Sequence, residues 1–90
     1  MLIYHCTTPK KAKHYRESNC IHRPVRGFTT LNAALAWCCK TGRTVIYEID
    51  SDLPQYKLPD HHNKYGEAWW IDGDVSVNDI TCVFSAEKDA

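Results

Sequence analysis

Apolar and polar positions alternate along this chain in short blocks, and each block predicts one small element. Residues 2–6, LIYHC, place Leu2, Tyr4 and Cys6 on one face of an extended segment and Ile3 and His5 on the other. Thr8 followed by Pro9 is a favoured pairing of helix cap and first helical residue, and predicts a helix over about residues 9–18 that stops at Ser18-Asn19. Apart from Ala12 and Tyr15 that helix is polar, which predicts a surface position. Pro24 and Gly27 predict an extended loop running into a short strand around Phe28.

Thr29 or Thr30 then caps the strongest helical pattern, LNAALAWCCK, with Leu31, Ala34, Leu35 and Cys38 as its apolar stripe and Gly42 as its left-handed stop. RTVIYEI, residues 43–49, is a β-branched strand. Residues 50–66 read as a long polar loop, of the length that in a small domain usually carries function. EAWWI predicts a strand, Asp72-Gly73 a turn, DITCVFS a last strand, and EKDA a frayed end. The expected order is β-α-β-α-β-loop-β-β, an α+β fold with a small mixed sheet and two helices, in one domain spanning residues 1–90.

Composition narrows the class. Hydrophobic residues at 43% belong to a folded chain, and no apolar run approaches the roughly 20 residues that cross a bilayer. With no charged start followed by an apolar stretch, the expectation is a cytoplasmic protein without a signal peptide or a membrane partner. Formal net charge is zero, which disfavours a broad nucleic-acid surface. The charge is nonetheless polarised: Lys10, Lys11, Lys13, Arg16, Arg23, Arg26, Lys40 and Arg43 lie in the first half, and most acids come later. A local anion site is compatible with that split. The five cysteines are odd in number and form no CxxC, so reduced thiols are expected.

Three chemistries compete for the polar residues. A metal site would draw on His5, Cys6, His14, Cys20, His22, His61 and His62, of which Cys20-Ile21-His22 and His61-His62 are the close pairs. Neither pair follows a zinc-binding spacing, so no metal is expected. A Cys6–His5 catalytic pair fails on strand parity, because neighbours on a strand point to opposite faces. A nucleotide pocket fits better. His5 and Thr7 share parity and can bond a ribose or an amide, while Arg23, Arg26 and Lys10 can neutralise phosphates. Phe28, Thr29 and Thr30 add an aromatic face, hydroxyls and the free N–H groups of a helix start. Singly, each of these residues also has an ordinary structural role, and only their combination favours the pocket.

The stretches IYHCTT, GFTTLNAALAWC, TVIYEI and EAWWIDGDVSVNDI resemble successive core elements of the ADP-ribosyltransferase superfamily, which includes DNA- and protein-modifying transferases and RNA 2′-phosphotransferases. His5-Cys6-Thr7 matches the family's first strand in kind, with Cys6 where glycine is commonest. Phe28 through Trp37 resembles its second element, and Glu67 fits its late acidic position. The resemblance implies NAD as substrate or ligand, held in a cleft by His5, Thr7, Arg23, Arg26, Phe28, Thr29 and Thr30. It also implies His5 and Glu67 as catalytic residues that transfer ADP-ribose to a macromolecular acceptor. Nicotinamide would leave through an oxocarbenium-like transition state stabilised by the carboxylate. The alternative is a binder that keeps the cleft without turnover, as a small viral protein that sequesters nucleotide messengers would need. A third reading is a protein-interaction or inhibitor domain using Trp69, Trp70 and the 50–66 loop.

Overall fold

The computed structural model describes residues 2–59 and 64–86. Its elements are β1 (Leu2–Thr7), α1 (Pro9–Ser18), β2 (Cys20–Ile21), β3 (Val25–Phe28), α2 (Leu31–Thr41), β4 (Val45–Asp50), β5 (Gln55–Lys57), β6 (Ala68–Ile71), β7 (Val75–Ser76), a 3-10 turn at Val77–Asp79, and β8 (Ile80–Ser85). Both helices and all five expected strands are present. The expected mixed sheet is instead antiparallel at every pairing: a six-stranded sheet ordered β5-β6-β3-β1-β4-β8 and a two-stranded sheet of β2 and β7. The 50–66 segment is not all loop, since β5 adds to the sheet edge beside β6. His61 and His62, and the 87–90 end, lie outside the described residues.

Caps act where the sequence places them. The Thr8 side chain accepts from the Lys11 N–H, and Thr30 rather than Thr29 caps α2 by accepting from Ala33 N–H at 3.2 Å. Gly42 takes the left-handed conformation at φ 75° and donates its N–H to the Cys38 carbonyl, ending α2 and turning the chain toward β4.

Strand alternation divides the core between the two faces of the main sheet. One face, covered by α2, packs Phe28, Ala33, Ala34, Cys38, Ile46 and Ala68, with Leu31 and Leu35 at its margin. The other gathers Ile3, Val25, Ile49 and Ile71 from the main sheet with Ile21 and Val75 from the small one, and α1 closes it through Ala12 and Tyr15. Cys38 is buried and its neighbour Cys39 exposed, as adjacent helical positions require. No helix among the described residues is long and apolar enough to cross a membrane.

Candidate functional site

β1 sits at the middle of the main sheet and pairs with β4 along its whole length, Leu2↔Asp50 through Thr7↔Val45. With β3 it shares one register pair, Tyr4↔Phe28. Beyond that pair a side chain makes the link that backbone makes elsewhere. The His5 ring donates from Nδ1 to the Arg26 carbonyl at 2.7 Å. A carbonyl only accepts, so the proton is on Nδ1 and the neutral ring presents Nε2 as an acceptor. Tyr15, one helical turn beyond Lys11 on α1, supplies the matching donor: its hydroxyl lies 3.0 Å from Nε2. The fully buried Thr7 hydroxyl in turn donates to Tyr15 Oη at 3.2 Å. Thr7, Tyr15, His5 and the Arg26 carbonyl therefore form one directional chain with every donor matched.

Burial lowers the His5 pKa below its ordinary 6.5, the bond to the Arg26 carbonyl opposes that shift, and the charges of Lys11 and Arg43 reinforce it. The imidazole is held neutral at pH 7. It is not a catalytic partner of the Cys6 thiol, because both its nitrogens are bonded elsewhere and Cys6 donates to the Ala34 carbonyl at 3.3 Å. Burial also pushes the Cys6 thiol far above its ordinary range, so Cys6 is an inert packing residue.

Where β1 and β3 separate, a cleft of about 290 Å³ opens. Its walls carry His5, Cys6 and Tyr15, the aromatic pair Phe28 and Trp37, and the cations Lys11, Arg26 and Arg43. Phe28 and Trp37 have ring centroids 6.2 Å apart, and Tyr65 backs Trp37 edge-on at 5.6 Å. Among the described residues no carboxylate lines the cleft and none of its three cations is in an ion pair. A site with cations, aromatic faces and a neutral imidazole suits an anionic, aromatic ligand.

The residues expected from sequence divide into two groups. His5, Arg26 and Phe28 line the cleft together. Thr7 is buried behind it and acts through Tyr15, while Thr30 is occupied as the helix cap. Thr29 donates its backbone N–H to the Glu67 carbonyl. Arg23 is turned away: its guanidinium meets Asp72 at 2.9 Å and its N–H meets Asp74 at 2.9 Å. The exposed Glu67 carboxylate accepts from the Trp69 indole at 2.9 Å and is not part of the cleft lining. In place of Lys10, Lys11 is the lysine at the cleft. Helical spacing contains that signal, since Lys11 lies four residues before Tyr15 on one face. Arg43 carries no local signal; the Gly42 turn delivers it.

Comparison with family models, curated proteins and solved structures finds no match to this chain.

Proposed function

We propose that this chain captures a nucleotide of the ADP-ribose type in the cleft between β1 and β3, and does so without turning it over. The observation that carries this reading is the convergence of Lys11, Arg26 and Arg43 on a cleft walled by Phe28 and Trp37. Phosphates meet the cations and the base meets an aromatic face. The volume, about 290 Å³, is at the bottom of the range of ligand pockets (about 300–1,000 Å³), so it seats one nucleoside phosphate and leaves the rest of a dinucleotide in solvent. His5, whose two ring nitrogens are taken by the Arg26 carbonyl and Tyr15, is neither an acid nor a base and contributes its ring to the wall of the cleft.

The reading is consistent with the resemblance to ADP-ribosyltransferases, whose first strand His5-Cys6-Thr7 matches in kind, with Cys6 in place of the usual glycine. Transfer needs a carboxylate beside the nicotinamide ribose. Glu67 stands outside the lining and holds an indole N–H instead, which favours binding over transfer.

Calorimetric titration with ADP-ribose, NAD and AMP, paired with an assay for released nicotinamide, tests the proposal. We expect ADP-ribose to bind, Arg26→Ala and Arg43→Ala each to weaken it by about tenfold (the worth of a charge-assisted hydrogen bond), and NAD to be recovered intact. No binding heat with any of the three would overturn the proposal; nicotinamide release lost in Glu67→Gln would replace capture with transfer.

A further inference from the structure

A second cluster lies on the small sheet, away from the cleft. β2 and β7 pair with Cys20 opposite Ser76 and Ile21 opposite Val75. Continuing that antiparallel register sets His22 opposite Asp74. Ile21 and Val75 turn their side chains into the core, so the alternate positions Cys20, His22 and Asp74 share the outer face. Their donor atoms all lie within 4.8 Å of one another. His22 Nδ1 is central, 3.7 Å from Cys20 Sγ and 3.6 Å from Asp74 Oδ2.

The two separations from His22 Nδ1 are close to what one ion demands, and the Cys20–Asp74 pair lies within 4.8 Å. With metal–sulfur distances of about 2.3 Å and metal–nitrogen or –oxygen distances of about 2.0–2.2 Å, tetrahedral ligands stand roughly 3.3–3.6 Å apart. Rotation of the exposed His22 and Asp74 side chains about the half-buried Cys20 would close the difference. The carboxylate is already oriented: Asp74 Oδ1 accepts the Arg23 N–H at 2.9 Å, which leaves Oδ2 facing His22. Asp72 holds the Arg23 guanidinium at 2.9 Å. Such outer bonds fix the ligands of metal sites.

We propose that Cys20, His22 and Asp74 bind a divalent zinc-type ion, with a fourth position open to solvent. A thiolate, an imidazole and a carboxylate select zinc over magnesium or calcium, which take oxygen ligands. On binding, the Cys20 thiol gives its proton to solvent and the sulfur donates a lone pair to the metal. The site is independent of the nucleotide cleft, with which it shares no residue.

The test is titration of the 90-residue chain, kept reduced, with Co²⁺ as a spectroscopic stand-in for Zn²⁺. One equivalent should produce a thiolate-to-cobalt charge-transfer absorption, and Zn²⁺ should bleach it. The absorption should survive the paired substitutions Cys39→Ser and Cys82→Ser, which remove the two exposed thiols. It should vanish in Cys20→Ser. Affinity should fall by about tenfold or more in His22→Ala and in Asp74→Asn. Asp74→Asn retains an acceptor for the Arg23 N–H, so it tests ligation even if Cys20→Ser fails to fold. Absence of the absorption in the unaltered chain, its loss with Cys39 and Cys82, or its persistence unchanged in Asp74→Asn would each overturn the proposal.

Discussion

His5 shows how much one side chain can decide. Its Nδ1–H reaches a main-chain carbonyl, so Nε2 must accept, and only a neutral ring lets Tyr15 donate there while also accepting from Thr7. Protonation would put a second hydrogen between Nε2 and the Tyr15 hydroxyl and leave the tyrosine proton without its acceptor. The sign of the pH effect follows. Burial depresses the folded pKa below 6.5, so the unfolded chain takes up the proton first. The stabilisation is complete above about 6.5 and is lost as pH falls from there through the lower folded value. His5→Asn keeps a donor for the Arg26 carbonyl and removes the titration. We therefore expect its melting temperature to fall less steeply between pH 7 and 5 than that of the unaltered chain. Tyr15→Phe should cost roughly 1–3 kcal/mol by urea denaturation, because the buried Thr7 hydroxyl loses its acceptor and His5 its donor.

At the scale of elements, β1 and β3 approach closely at Gly27. A Cβ built on Gly27 would overlap the Ile3 side chain and come within 2.9 Å of the Tyr4 carbonyl oxygen. The obstacle includes main chain, which cannot rotate aside. Gly27→Ala should therefore destabilise at the upper end of the overpacking range, roughly 1–3 kcal/mol. Gly73→Ala is the comparison, since the atoms nearest its added Cβ belong to the Leu53 side chain, the closest at 2.9 Å, whose end can move. Denaturant midpoints of the two variants should separate clearly; equal midpoints would refute the close approach. The elements that sequence missed share one property. β2, β5 and β7 are two or three residues long, too short to carry a period of alternation. β5 lies between Pro54 and Pro59, which read locally as loop, and its place is set by pairing with β6.

Across the whole molecule, the fold reorganises charge that the sequence only segregates. Lys11, Arg26 and Arg43 come from a helix, a strand and a turn, and their charges focus on one cleft while net charge stays at zero. Attraction of this kind is partly screened, because the cleft opens to solvent. We expect affinity for ADP-ribose to fall several-fold when sodium chloride rises from about 50 to about 500 mM, a range over which the screening length drops well below 10 Å. An affinity indifferent to salt would mean that the cations do not hold the phosphates. The aromatic surface proposed from sequence divides in the same way. Trp69 packs against the core, and the Trp70 ring lies 5.1 Å from that of the half-exposed Tyr56, tilted by 35°.

Local pattern was enough for the two helices, their caps at Thr8 and Thr30, the five longer strands and the parity that separates His5 from Cys6, because these depend on neighbours within a few residues. His5, Arg26 and Phe28, which line the cleft, were legible as candidates for the same reason: each sits on or beside an element that the pattern predicts. Pairing across the chain decided everything else. It brought Tyr15 onto His5, turned Arg23 toward Asp72, set Glu67 against Trp69 and carried Arg43 to the cleft. It also set Asp74 beside Cys20 and His22, fifty residues away in sequence and on a strand too short to be seen there. Distances between residues far apart in sequence follow from strand register and core packing, and no local window contains either.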